Sequence, residues 1–179
     1  AFIFSVSSLS GEDKAQISDK FVFIKGDMFL MGSSLSFEEL EKKYGGYTGW
    51  FKNEFPVHEV QLNDYYMAKF EMTNREVVEV FNWALKKQYI TVEDSRVYNT
   101  IGLKQVLYPS GSVMKGSEKD YGIEFENNKF IVRKGFSHLP VNYITWYGAV
   151  AFCNFLSEKA GKDPLYSFLD FTVDPNSTG

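Results

Sequence analysis

Few of the residues from which metal and nucleophilic sites are made occur in this chain. Its one cysteine, Cys153, excludes an intrachain disulfide, and its two histidines, His58 and His138, lie too far apart in sequence for a metal-ligand spacing. With 19 basic against 23 acidic residues the formal charge is -4, which leaves no basic field for nucleic acid. No apolar run approaches the roughly 20 residues of a membrane-crossing helix. The glycines are scattered, without the spacing that cradles a phosphate on consecutive amides. From the residues alone, no catalytic, cofactor-binding or metal-ligating position is expected, and neither a nucleic-acid partner nor a membrane span.

What is present is the material of a core. Hydrophobic residues make up 44% of the 179 positions and aromatics 17%, enough for one domain to bury an interior without staples. Residues 1–20 are read as lying outside that core. AFIFSVSSLS is an apolar run passing into small residues, which fits the end of an export signal or else a first strand, and Gly11 to Lys20 is a polar linker. An export signal implies a secreted, periplasmic or cell-surface location.

From Phe21, FVFIKGDMFLMG places two apolar runs around Lys25-Gly26-Asp27 and predicts a β-hairpin. A long loop over residues 32–56 follows, with a short helix at Phe37 to Lys43 and an aromatic stretch, Tyr44 to Phe51, that pins the loop to itself. His58, Val60 and Leu62 alternate with Glu59, Gln61 and Asn63, the pattern of a half-buried strand; a second strand, Tyr65 to Phe70, follows a turn at Asn63-Asp64. His58 has no titratable neighbour at local spacing and is expected to be structural.

Thr73 and Glu76 have the spacing of a capping box, and Met72 and Val77 that of a hydrophobic staple, so a helix is predicted to start at Asn74. Val77, Phe81, Ala84 and Leu85 form its inward stripe, Glu79 and Asn82 its wet face, and Lys86 and Lys87 its dipole-matched end. Residues 89–120 read as a long polar excursion. IEF and KFIV then flank Glu126-Asn127-Asn128 in a second hairpin, since Asn tolerates the positive φ of a tight turn.

The chain is organised around HLPVNYITWYGAVAFCNFL, His138 to Leu156. Pro140 keeps Leu139 out of the helical region, Val141 to Thr145 favour an extended run, and Thr145 is placed to cap a helix from Trp146 to about Ala160 that stops at Gly161. Apolar residues at Trp146, Ala149, Val150, Phe152, Cys153, Phe155 and Leu156 cover most of its circumference, so it is predicted to be buried on more than one side. Trp146 and Tyr147 are candidate cleft residues but are expected in the core. Burial among Phe152 and Phe155 is expected to raise the thiol pKa of Cys153 and leave it inert. Asp174 and Asn176 offer oxygens to calcium but are too few for its six to eight ligands, and Asn176-Ser177-Thr178 matches a glycosylation sequon.

Several segments in order resemble one family. FLMG (Phe29 to Gly32), EFPVHEVQL (Glu54 to Leu62), FEMTNREV (Phe70 to Val77) and Pro140 to Leu156 are similar to the corresponding runs of the formylglycine-generating enzyme, or sulfatase-modifying factor, domain, the last resembling "PVxxVSWxdAxaYCxWl". The resemblance extends through SEKAGKDPLYSF and covers roughly residues 21–168. It implies an α+β fold, a variation on the C-type-lectin architecture, with antiparallel hairpins and two helices, incomplete at its C-terminal end. Residues 21–170 would be the N-terminal part of such a domain and residues 171–179 a tail or truncation point. An exposed apolar flank or an unpartnered strand is then expected.

The resemblance also implies what the longer parent does. Active members oxidise a cysteine in sulfatase polypeptides to formylglycine with copper held by a late cysteine pair, calcium supports the fold, and relatives use iron. Cys153 falls at the family's "YC" position, used for packing or a structural disulfide. The implied function is that of an inactive N-terminal part of an oxidase acting on a sulfatase-type polypeptide; the alternative is a non-catalytic exported module that binds an extracellular ligand.

Overall fold

The computed structural model describes residues 3–5, 20–45, 48–94, 96–101, 104–107, 121–168, 170 and 172. The chain divides into two compact units, residues 3–67 and residues 68–179. Both mix α and β structure, with three α-helices among the described residues.

In the first unit, strands β1 (Ile3–Ser5), β2 (Phe21–Ile24), β3 (Met28–Met31), β4 (His58–Gln61) and β5 (Tyr65–Ala68) form two sheets. One has the order β1-β5-β2, with Phe4 opposite Tyr66; the other pairs β3 antiparallel with β4, Phe29 opposite Val60. The opening apolar run thus contributes a strand. The hairpin predicted over residues 21–31 is corrected: both strands exist, but they belong to different sheets. Its physical reason lies in the connection. Gly26 donates its amide to Asp64 Oδ1 at 2.8 Å, and Lys25 Nζ sits 2.9 Å from the same oxygen. A Cβ on Gly26 would collide with the Leu62 and Asn63 backbone, so the turn packs onto the β4–β5 connection and parts its two strands.

Helix α1 (Phe37–Tyr44) opens with a complete capping box. Ser36 Oγ accepts from the Glu39 amide at 3.2 Å, and the Ser36 amide donates to Glu39 Oε2 at 2.7 Å. Its rings lean on the 3-10 turn Thr48–Glu54 and its exit, Phe37 on Phe55 and Tyr44 on Phe51 at 5.8 and 5.6 Å between centroids. The loop is therefore pinned by its own aromatics, as expected. The strand alternation was only partly right, since Val60 is half-buried while Leu62 is exposed.

The second unit holds the core. Helix α2 (Asn74–Lys86) starts at the predicted residue, with both capping-box bonds formed between Thr73 and Glu76. Val77, Phe81 and Ala84 are fully buried, and Val78 and Val80 widen the buried face. One assignment is corrected: Asn82 does not face water. Its amide donates to the Phe130 carbonyl at 2.8 Å and accepts the Phe130 N–H at 2.9 Å. It thereby satisfies the outer edge of β10 (Lys129–Val132), which pairs with β9 (Ile123–Glu126) in the predicted second hairpin. Asn127 and Asn128 take φ of 50° and 59° in its two-residue turn.

The excursion over residues 89–120 is also corrected, because it contains a sheet: β6 (Ile90–Glu93), β7 (Arg96–Asn99) and β8 (Gln105–Leu107), in that order and antiparallel. Val97 and Val106 are fully buried, which decides against a solvated loop. Residues 108–120 lie outside the described residues.

Helix α3 (Trp146–Lys159) is capped by Thr145, whose Oγ1 accepts from the Gly148 amide at 3.0 Å. Gly148 is required: a Cβ there would run into the Val106 carbonyl where α3 crosses β8. Val150, Ala151, Phe152, Asn154 and Phe155 are buried, whereas Trp146, predicted in the stripe, is 61% exposed. Phe81 is the hub of the interior, with the rings of Phe130, Phe152 and Phe155 at 5.9, 6.3 and 6.3 Å. The run before α3 is not a strand. Pro140 makes an isolated bridge to Thr73, and Tyr143 takes φ 56°, so the chain turns rather than extends.

Both long helices end in the same motif. At α3 the Lys162 amide donates to the Ser157 carbonyl and the Gly161 amide to that of Glu158, with Gly161 at φ 69°. At α2 the Tyr89 amide donates to the Ala84 carbonyl and the Gln88 amide to that of Leu85, with Gln88 at φ 62°. This is the Schellman geometry in each case, but α2 makes the left-handed turn with a glutamine.

Candidate functional site

The reactive residues singled out in the sequence are dispersed. Among the described residues no three His, Cys, Asp or Glu side chains gather as a metal would require. His58 sits exposed on β4, its Nδ1 2.9 Å from the Pro56 carbonyl oxygen, and His138 lies in a turn of the other unit. Asp174 and Asn176 lie outside the described residues. Cys153 stands partly buried on α3, and desolvation pushes its thiol up to about 11.

Two buried amides organise the second unit. Asn74, at the start of α2, donates its Nδ2 to the carbonyls of Phe136 and Leu139, both at 3.0 Å, and so ties the helix to the turns before Pro140. Its Oδ1 is buried with no hydrogen-bond partner among the described residues and is pressed against Gly122, where a Cβ would collide with it. Asn154 holds Tyr166 by both backbone groups, donating to its carbonyl at 2.7 Å and accepting its amide at 3.2 Å. Tyr89 OH donates to Glu158 Oε2 at 2.7 Å, which raises the Tyr89 pKa, while its ring packs against those of Phe155 and Phe168. These contacts tie the helices to the segments that follow them.

An open cleft of about 390 Å³ runs between the end of α2, the β6–β7 sheet and the β9–β10 turn. Leu85, Ile90, Val92 and Phe125 supply its apolar wall. Gln88, Thr91, Thr100 and Asn128 also border it, and among the described residues that line it none is ionisable. Sequence reasoning missed it because its parts come from segments read as a helix end, a polar excursion and a hairpin turn. A shared cleft between them depends on the β6–β7 sheet, which that reading did not contain. No helix of the described residues is long and apolar enough to cross a membrane.

Comparison with known proteins agrees with the segments noted in the sequence. Residues 6–170 match the family described as sulfatase-modifying factor enzyme 1-like domain. A protein of Chlamydia caviae named serine/threonine-protein kinase pkn1 is 23% identical over 159 residues, 86% of this chain and 20% of that protein. The chain thus spans about one-fifth of the length of this curated relative, and the kinase name belongs to the relative's whole length. The matched segment covers nearly all of the chain and includes every described helix and all strands but β1; the chain belongs to the sulfatase-modifying factor enzyme 1-like domain family.

Proposed function

We propose that this chain is the scaffold part of a sulfatase-modifying-factor-like domain on a variation of the C-type-lectin architecture, and that the oxidative chemistry of a longer parent lies outside these 179 residues. The parent would convert a cysteine of a sulfatase-type polypeptide to formylglycine, or carry out a related oxidation, with copper or iron as the redox metal, calcium as a structural ion and an exported location. One observation supports the reading for this chain: its one thiol, Cys153, stands partly buried on α3 with desolvation raising its pKa, and a single thiol cannot supply the cysteine pair that the resemblance implies. The test is mass spectrometry of a cysteine-containing sulfatase peptide incubated with Cu(I) and oxygen. The full-length parent is expected to form the aldehyde and this chain to leave the peptide unchanged. Aldehyde formed by this chain would overturn the proposal.

A second reading is a non-catalytic exported module that binds an extracellular ligand, for which the open cleft of the second unit offers a place. It is distinguished by the parent: a full-length protein that consumes no oxygen with any thiol substrate fits the module and not the oxidase.

A further inference from the structure

We infer that Met31 and His58, which face each other across the β3–β4 pair of the first unit, form a binding site for one Cu(I) ion. The register makes them direct partners in an antiparallel ladder, so both side chains leave the same face of the sheet, with Cβ atoms about 4.5–5.5 Å apart. At that spacing a thioether sulfur and an imidazole nitrogen can approach one ion from two sides. Both reach water: Met31 is 53% exposed, and His58 is exposed as well. The next pair along this face is Phe29 with Val60, which offers no side-chain donor atom. Local spacing does not show the site, because its members stand on different strands and meet only through the sheet.

The histidine is set as a ligand. Its Nδ1 lies 2.9 Å from the Pro56 carbonyl oxygen, which only accepts, so Nδ1 carries the proton and the neutral ring keeps its lone pair on Nε2. A ring N–H given to a backbone carbonyl is the usual support of a metal-bound histidine, since it fixes tautomer and orientation. That support is itself tied to the methionine's end of β3. The Ser33 amide donates to the Glu54 carbonyl at 2.9 Å, and Gly32, next to Met31, packs so closely on this segment that a Cβ there would meet the same carbonyl oxygen. The donor pair selects the ion. Calcium takes six to eight oxygens and zinc takes four donors, and among the described residues no three His, Cys, Asp or Glu side chains gather to supply them. A thioether is a soft ligand that favours Cu(I), a closed-shell ion that accepts two donors in line. The site is separate from the cysteine pair that the resemblance implies for a longer parent, and neither needs the other.

The experiment is anaerobic competition between the 179-residue chain and a chromophoric Cu(I) chelator, with Cys153→Ala as the background so that the thiol takes no part. One equivalent of Cu(I) is expected to pass to the protein. Met31→Leu and His58→Gln should each weaken binding at least about tenfold. Met28→Leu should leave it unchanged: Met28 is 56% exposed, but it lies an odd number of residues along the strand and so on the other face. Because both ligands are exposed, their variants should melt where the background does. In NMR, Ag(I) as a redox-silent substitute should shift the His58 ring and the Met31 methyl together, and Zn(II) should shift neither. No transfer of Cu(I) to the Cys153→Ala chain, equal losses in all three methionine and histidine variants, or no loss in the two ligand variants would overturn the inference. Zn(II) bound as tightly as Cu(I) would overturn the choice of ion.

Discussion

Strands β3 and β10 are nearly interchangeable on paper and opposite in the structure. MFLM and KFIV are both four-residue strands in two-stranded antiparallel sheets. Phe130 of β10 is 0% exposed, whereas Met28, Phe29, Leu30 and Met31 of β3 are each 45% exposed or more. The difference is what covers them. Helix α2 lies over β10, packing Phe81 edge-on against Phe130 and binding its backbone through Asn82, and no helix of the described residues does this for β3. An apolar strand therefore records only the capacity for burial. Burial itself is supplied by another element, and β3 has the exposed character expected of a surface that takes a partner.

The sharpest way to test this contrast is to truncate one ring in each unit. Phe81→Ala should remove about 3–5 kcal/mol from unfolding in urea, since it empties the centre of four packed rings. Phe29→Ala should change it by less than about 1 kcal/mol, because its ring is already half in water. Equal losses would mean that β3 is covered after all. Next in size is Asn82→Ala, which leaves the Phe130 N–H and carbonyl unpaired beneath α2 and should cost about 1–3 kcal/mol. A change within error would show that water replaces the amide and that β10 is not held by it. Smaller still are the helix ends. Gln88→Gly should raise stability by up to about 1 kcal/mol, and Gly161→Ala should lower it by about 1–2 kcal/mol. Measured by thermal melting, a loss in the first variant would show that the glutamine side chain stabilises the α2 end.

The smallest effect separates the units by pH. The Gly26 amide, and after it Lys25, hold the Asp64 carboxyl below its ordinary range. A depressed carboxyl stabilises the fold above its unfolded pKa and loses that contribution as pH falls through the folded value. Acidification should therefore loosen the Lys25–Asp27 connection, seen as amide exchange at Gly26, before it disturbs the second unit. Unchanged Gly26 exchange down to acid unfolding would refute the assignment.

Legibility in the sequence followed the range of each signal. The α2 capping box, the Thr145 cap, the Gly161 stop and the Asn127-Asn128 turn are set by neighbours within a few residues, and all are found where predicted. Strand partnership is not local. Lys25-Gly26-Asp27 has the composition of a hairpin turn, but the Asp64 carboxylate, 38 residues away, holds the Gly26 amide and separates the strands. Asn82 lies on the polar side of a helical wheel, and only the arrival of β10 turns that side into an interface. The sheet within residues 89–120 was obscured because its polar positions, such as Thr91 and Glu93, are interleaved with the β-branched ones that bury. The candidate cleft inherits all of this, since it exists only once that sheet, the α2 end and the β9–β10 turn are brought together.

Cys153 is the residue on which the account turns, because the chain's chemistry depends on whether its lone thiol is packing or reagent. Burial raises that thiol from 9.0 to about 11, so folding favours its protonated form. The raised value adds stability that is complete below pH 9 and disappears as pH climbs through about 11, where the folded protein would have to bury a thiolate. The direct measurement is the rate of modification by a thiol-specific disulfide reagent as a function of pH, in native buffer and in urea. The native chain is expected to react markedly more slowly at pH 8 than the unfolded chain, with one thiol released on unfolding and a native rate that rises toward pH 11. Rapid modification of the folded protein near pH 7 would contradict it and return Cys153 to the list of reactive groups.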